Sequence, residues 1–393
     1  MVTAVIGACV DPSGPLYRAM TRGHRSRPGA RLEEESSFEG QDMTDREVNT
    51  PEHQRDVALM RRALQLAARG PAGDPNPRVG AVIVGPGGLV VGEGFHQGAG
   101  TPHAEVMALR QAGEAARAGT AVVTLEPCAH TGRTGPCAQA LIQAGVARVV
   151  FAQSDPTPSA RGGGTLLEAA GVRTTAGVLA QESAALNDAW TFSFVHGRPK
   201  VTWKFAATLD GRSAAADGSS RWITGPQARA DVHRLRAQCD AILVGTGTVI
   251  ADDPALTVRG TDGSATGRQP LRVVMGLRPI SATARVRDAA SPTLQLATRD
   301  PAQALKALGE QEIHHVWLEG GPTLAAAFLG AGLVDEVIAY LAPALLGAGA
   351  PALGDLGIRN IDQALRLVPN EVTTIGPDIR IRATVATPGR EGR

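Results

Sequence analysis

Residues 120–150 read TAVVTLEPCAHTGRTGPCAQALIQAGVARVV. The first six, TAVVTL, are rich in β-branched residues and read as a strand buried on both faces. PCAQALIQAGV carries a helical run of small and apolar residues, and ARVVFAQS reads as a second strand. Strand, turn, helix and strand in that order make a parallel crossover unit. The turn contains two Pro-Cys pairs, Pro127-Cys128 and Pro136-Cys137, whose cysteines are nine positions apart.

The pattern extends outward from there. Upstream, HQRDVALMRRALQLAARG places Val57, Met60, Leu64 and Ala67 at three- and four-residue steps before Gly70, which predicts an amphipathic helix. GAVIVGPGGLVVGEGF predicts two strands around a Gly/Pro turn, and HAEVMALRQAGEAA a helix. Downstream, LLEAAGV and LAQESAALNDAW predict helices. A second α/β pattern starts at KVTWKFAATLDGR, with strands AILVGTGTV, LRVVMG, TLQLAT, HHVWLEGG and EVIAYLAP and a helix in GPTLAAAFLGAG. Strands alternating with helices predict mostly parallel sheets covered on both faces. The expected organisation is an extension over residues 1–50, a first domain over 51–196 and a second over 197–388, with a frayed tail. The extension has charge, Gly and Ser without an apolar period, so it is expected to be disordered. Met43 is a candidate for the true start.

A chain of 393 residues fits two domains at about 100–200 residues each. Lys+Arg total 39 against Asp+Glu 38, which gives no basic footprint for a nucleic acid or a membrane surface. A small phosphorylated substrate needs only a few local cations and stays compatible. Four cysteines are too few for a disulfide framework in a chain this long. No run of about 18 apolar residues is present, and MVTAVIGACVDPSGP lacks a basic region followed by an apolar one, so a cytoplasmic protein is expected.

The chemistry concentrates in His103-Ala104-Glu105 and the two Pro-Cys pairs. A catalytic zinc takes three protein ligands and keeps a position for water. One imidazole, His103, and two thiolates, Cys128 and Cys137, meet that need, and the first residues of helices suit thiolates because free N–H groups favour the anion. Zinc makes water a nucleophile near neutral pH. Departing ammonia then needs a proton, which Glu105 is positioned to carry. An H-x-E followed by P-C-x-x-C is the mark of zinc deaminases. Here AHTGRTGP separates the cysteines, which argues against the nucleic-acid-editing branch. His130 and Arg133 lie in this insertion, either solvated or touching a substrate phosphate or base. Asn76, in DPNPRVG, forms a turn or reads a pyrimidine edge. Nothing in the pattern assigns His96.

DPNPRVGAVIV, HQGAGTPHAEVMAL and TLEPCAHTGRTGPC in the first half, with KFAATLDGR, RWIT, ADDPALTVR and EGGPTLAAAFL in the second, resemble the bifunctional deaminase/reductase family of riboflavin biosynthesis, over about residues 52–385. The resemblance implies a cytidine-deaminase-like three-layer α/β/α domain followed by a dihydrofolate-reductase-like α/β domain. It implies zinc in the first and NADPH in the second, and a possible homodimer through the reductase half. It also implies cofactor contacts at Ala206, Trp222, Thr248, Asp252, Gly321, Pro322, Thr323, Leu324, Ala325, Ala326 and Ala327. Substrate contacts are implied at Ser220, Arg236, Leu256, Arg259 and Glu319. Both GTGTV and EGGPTL read as strand–glycine–helix junctions able to bring a phosphate to backbone N–H groups, and neither is a G-x-G-x-x-G fingerprint. Arg236 and Arg259 suit a phosphate clamp. Lys204 is expected on a strand, facing the site, and Asp210 in a turn. Cys239 is expected in the core. The implied reactions are hydrolytic loss of the 2-amino group of 2,5-diamino-6-ribosylamino-4(3H)-pyrimidinone 5′-phosphate, then reduction of the ribosyl chain. A tRNA or nucleoside deaminase carrying an RNA-binding module is the rival reading, and a 3% aromatic content offers it few stacking platforms.

Overall fold

The computed structural model describes residues 50–130, 135–260 and 262–386. Residues 1–49 of the expected extension, Arg133 and the tail 387–393 lie outside them. The first helix, α1 (Pro51–Ala67), starts where its chemistry dictates. The Thr50 hydroxyl accepts from the His53 N–H at 3.2 Å, and Pro51 stands at the first helical position. Its buried stripe is Met60, Ala63, Leu66 and Ala67, with Val57 and Leu64 at the margin.

β1 (Gly80–Val84) and β2 (Val90–Phe95) form a hairpin, followed by α2 (Ala104–Ala112), β3 (Thr120–Leu125), α3 (Cys137–Gln143), β4 (Arg148–Gln153), α4 (Gly163–Ala169) and β5 (Arg173–Ala176). The sheet order is β2-β1-β3-β4-β5. The expectation of a mostly parallel sheet fails here, because β1 runs antiparallel to both β2 and β3, and only β3-β4-β5 is parallel. The Gly85–Leu89 turn, where Gly85 N–H donates to Leu89 O and Gly88 N–H to Gly85 O, returns β2 antiparallel to β1, and the crossover through α2 then lays β3 parallel to β2 on the far side of β1. Both faces are covered. Ala81, Ile83, Val123 and Phe151 pack with α2, α3 and α4, while Val82, Val84, Val122 and Val150 pack under α1. LAQESAALNDAW is not one helix. It divides into α5 (Ala180–Leu186) and α6 (Asp188–His196) at Asn187, whose amide accepts from the Arg78 N–H at 2.8 Å and donates to its carbonyl at 2.9 Å.

Gly197, at φ 67, ends α6, and β6 (Lys200–Thr208) opens the second sheet. There follow α7 (Pro226–Arg236), β7 (Ala241–Gly245), α8 (Thr246–Asp252), β8 (Leu271–Met275), β9 (Thr293–Leu296), α9 (Pro301–Gly309), β10 (His315–Leu318), α10 (Pro322–Gly330), β11 (Glu336–Ala342), β12 (Leu367–Ile375) and β13 (Asp378–Val385). The order is β12-β13-β11-β6-β10-β7-β8-β9, parallel from β11 to β9, with the β12–β13 hairpin antiparallel at one edge. α9 and α10 cover one face over Val201, Leu243 and Val316, with Phe328 of α10 packed onto it. α7 and α8 cover the other over Ile242, Val244, Trp317 and Tyr340. Trp317 and Phe328 are fully buried, and truncating either to Ala costs about 3–5 kcal/mol. The described residues pack as a single compact unit. Among them, no helix is long and apolar enough to cross a membrane.

Candidate active site

His103 is the residue before α2, in extended conformation, and Glu105 is in the helix's first turn. α2 lies hard against β2 because glycine stands beneath it: a Cβ on Gly94 would sit 2.3 Å from the Ala104 carbonyl oxygen. Cys137 is the first residue of α3. Cys128 is not on a helix. It lies in the loop after β3 and instead receives the Cys137 N–H at 3.3 Å, so the start of α3 points at its sulfur. The loop can approach α4 only because Gly163 has no side chain, since a Cβ there would meet Pro127 O at 1.6 Å.

These elements bring His103, Cys128 and Cys137 together, their ligand atoms all within 4.8 Å of one another. Among the described residues, this is the one such cluster. His103 Nδ1 is 3.2 Å from Cys137 Sγ and 3.7 Å from Cys128 Sγ. Tetrahedral zinc with bonds of ~2.0 Å to nitrogen and ~2.3 Å to sulfur spaces such donors roughly 3.5–3.8 Å apart, so the donor set fits the ion. The thiols are coupled. A hydrogen bond from Cys137, with further ones from His103 and the Cys137 backbone, holds the Cys128 thiol far below its ordinary value, while Cys137 is pushed up. The His103 imidazole is raised by its bond to Cys128. Burial pushes the Glu105 carboxyl up to about 6, against the pull of His103, which suits a group that must both take and give a proton near neutral pH.

The cluster opens into a cavity of about 630 Å³, lined by Asn76, His96, Glu105, His130, Asp155 and Trp190 among others. Asn76 does form a turn, its N–H donating to Asp74 Oδ1 at 3.0 Å, and its side-chain amide also reaches His96 Nε2 at 3.0 Å. His96 Nδ1 faces the Pro102 carbonyl at 3.2 Å, so the ring donates there and accepts from Asn76. Burial lowers the His96 pKa and keeps it neutral. His96 was only a weak candidate in the sequence, because its role depends on a loop that folds back from β2. Glu126 was also missed. Its carboxylate accepts the N–H groups of Asp155, Gly162 and Gly164 at 3.0–3.1 Å and shapes the cavity rim.

In the second half the candidate residues collect at the C-terminal ends of the parallel strands, where ligands of open α/β sheets bind. Gly321, the N-cap of α10, and Thr248 on α8 are neighbours: a Cβ on Gly321 would lie 3.8 Å from Thr248 Oγ1. Thr323 and Ala327 are exposed, and Gly321, Pro322, Leu324 and Ala326 half-buried. Ala325 and Leu256 can serve as contacts only through their backbone, since both are buried in the core. Ser220, Asp252 and Trp222 are exposed, with the Arg229 guanidinium 4.5 Å over the Trp222 ring. Ala206 is half-buried on β6.

Arg236 departs from the expected phosphate clamp. Its Nε and Nη2 meet the Glu319 carboxylate at 2.7 and 2.5 Å, and Nη1 donates to Thr257 O at 3.1 Å. Burial would raise the Glu319 pKa, but Arg236 and Lys204 hold it at about 2. Burial lowers Lys204, whose Nζ is 6.0 Å from the Tyr340 ring centre. Arg259 keeps more freedom. Its Nε donates to Thr257 Oγ1 at 3.1 Å, and its pKa is lowered by burial and by Arg236. His233, missed in the sequence, accepts the Arg259 N–H at 3.3 Å and is lowered to about 4 by burial and by both arginines. Asp210 does more than turn the chain: it accepts from Thr208 Oγ1 at 2.5 Å and from Gly347 N–H at 2.7 Å, tying down a second loop. Cys239 is buried.

Two family models match the chain. That of the cytidine and deoxycytidylate deaminase zinc-binding region covers residues 53–153, and that of the RibD C-terminal domain covers 199–381. Over 307 residues the chain is 52% identical to riboflavin biosynthesis protein RibD of Mycobacterium tuberculosis, covering 78% of this chain and 90% of that protein. The chain belongs to the RibD family. RibD of Escherichia coli is 43% identical over 360 residues, which is 83% of this chain and 98% of that one. Solved RibD of Acinetobacter baumannii is 41% identical, with a TM-score of 0.79 over 85% of this chain and 99% of that one. A deaminase/reductase from Thermotoga maritima is 31% identical, with a TM-score of 0.77 over 85% of this chain and all of its own, 100%. Like RibD, the chain is a bifunctional deaminase and reductase of riboflavin biosynthesis, with a cytidine-deaminase-like zinc domain followed by an NADPH-dependent reductase domain.

Proposed function

We propose that His103, Cys128 and Cys137 hold the zinc and that Glu105 is the proton carrier of the deamination, with the halves divided near residue 197. Zinc, when bound, supplies the Lewis acidity that makes water a nucleophile at neutral pH. Glu105 takes the proton released as water adds to the carbon bearing the 2-amino group, and returns it to the departing amine. The carbon becomes a carbonyl and ammonia leaves. Asn76, fixed by His96, reads the pyrimidine edge. The observation that carries this reading is the convergence of one imidazole, two thiols and a buried carboxyl at the end of one cavity.

For the second step NADPH, when bound, supplies the hydride that opens the ribose. The start of α10, from Gly321 to Ala327, together with Thr248, Asp252, Ala206 and Trp222, binds the cofactor. Unpaired N–H groups at a helix start suit its phosphates. Arg259, with Ser220 and the Leu256 backbone, receives the substrate's phosphate end, and Glu319, kept ionised by Arg236, accepts from a ribose hydroxyl. The substrate is a small phosphorylated pyrimidine rather than a nucleic acid. The near-balance of 39 cationic and 38 anionic residues supports this, as it does a cytoplasmic enzyme without membrane attachment.

Glu105→Gln tests the assignment. Ammonia release should fall roughly 10²–10⁴-fold with zinc content unchanged, while reduction of the deaminated intermediate continues at the wild-type rate. An unchanged deamination rate would remove Glu105 from the mechanism.

A further inference from the structure

His314 belongs to the turn between α9 and β10, in the reductase half, yet it lines the deaminase cavity together with Gly309 at the end of α9 and Glu312 of the same turn. Its backbone is clamped at the N-terminal edge of the second sheet. The N–H donates to the Asp240 carboxylate at 2.9 Å, and the carbonyl accepts from the Lys200 N–H at 2.8 Å. The turn before it is equally fixed. Glu312 adopts a left-handed φ of 58, its N–H donates to Gly309 O at 3.0 Å, and the Ile313 N–H donates to Leu308 O at 3.2 Å.

From this base the ring reaches into the other half. Nδ1 meets Ser193 Oγ at 2.6 Å, and the ring lies against Phe194 with centroids 5.5 Å apart, both partners being on α6. Pro75, the residue before Asn76, lines the same cavity wall as His314. The Ser193 hydroxyl donates to the Trp190 carbonyl at 2.8 Å, so its oxygen accepts from the Nδ1–H of a neutral His314 ring. Burial favours that neutral form. One side chain therefore joins the edge of the reductase sheet to the helix α6, beside the loop that presents Asn76 to the cavity.

We propose that His314 is a positioning residue for the deamination: through it, the reductase half holds α6 beside the Asn76 loop and closes the deaminase cavity, so that the first reaction depends on the docked second domain. This rests on the deaminase reading given above. It also sets the two sites at opposite ends of β10, with His314 before the strand and Glu319 after it. A change at His314 is therefore expected to act on the deamination and to leave the reductase rate near that of wild type.

The test uses the full-length, zinc-loaded enzyme, with ammonia release from the diaminopyrimidinone ribosyl phosphate and NADPH oxidation on the separately supplied deaminated product. Loss of one hydrogen bond and of the ring's contact with Phe194 corresponds to roughly tenfold in affinity. His314→Ala should raise the deamination KM about tenfold, with kcat and both reductase constants within about twofold of wild type. His314→Gln, which keeps one donor and one acceptor, should recover most of that loss. Ser193→Ala removes a partner without touching the sheet edge and should raise the same KM about threefold, so it decides the matter if His314→Ala does not fold. An unchanged deamination KM in the folded variants overturns the proposal. So does a parallel fall of both activities, which would make His314 mere interface packing. Wild-type enzyme that releases no ammonia overturns the underlying deaminase reading instead, a failure seen before any variant is made.

Discussion

Arg236→Met breaks the buried ion pair with Glu319, and the structure sets the size of the effect. The guanidinium makes two bonds to the carboxylate and one to the Thr257 carbonyl, and both side chains are about nine-tenths buried, with 11% and 12% exposure. Removing one partner of such a pair strands the other charge, at a cost of roughly 3–5 kcal/mol. The depressed carboxyl gives an independent value. Glu319 at about 2 instead of 4.5 represents about 3 kcal/mol favouring the folded, ionised form at neutral pH. Because the folded pKa is the lower one, this contribution is present above about 4.5 and is lost as pH falls through about 2. At about 2–4 °C per kcal/mol for a domain of this size, the expected drop in Tm at pH 7 is about 6–12 °C. Thermal unfolding followed by tryptophan fluorescence reads it, since Trp203, Trp222 and Trp317 all belong to the reductase half. The double variant Arg236→Met with Glu319→Gln removes the stranded charge, keeps an acceptor for the Trp317 indole, and should regain more than half of the loss. A single variant within about 2 °C of wild type, or a double variant no more stable than the single, would refute the reasoning.

Chelation of zinc should abolish ammonia release while leaving NADPH oxidation on the deaminated product intact. Metal analysis of the treated protein, set against both rates, checks this. Gly94→Ala places a Cβ 2.3 Å from the Ala104 carbonyl, so α2 must shift and carry His103 and Glu105 with it. Deamination should fall at least about tenfold with the reductase rate unchanged, because misplacing reacting groups by about 1 Å costs up to about 10²-fold.

The deaminase constellation was legible because its parts are short local motifs. His103 and Glu105 flank a helix start, and each cysteine follows a proline, so composition and spacing were enough to nominate them. The antiparallel pairing of β1 with β3 was hidden, since GAVIV is apolar on both faces whichever way its neighbours run. β12 was missed for the opposite reason: Pro369 and Asn370 interrupt its alternation, and most of its residues are exposed, so no buried period marks it. The Arg236–Glu319 pair joins residues 83 positions apart, and no periodicity records such a meeting. A phosphate clamp and a buried ion pair look alike in sequence, since both are an arginine beside apolar residues. His314 was invisible as part of a cavity because a neighbouring histidine on a strand reads as core until the docking of α6 is known.

The most direct measurement is a coupled assay of the full-length enzyme on the diaminopyrimidinone ribosyl phosphate, following ammonia and NADPH together. One ammonia should appear for each NADPH consumed, with ammonia first and NADPH oxidation following after a lag. NADPH consumed without prior ammonia release, or ammonia released with no later oxidation, would contradict the account of one chain carrying both reactions in that order.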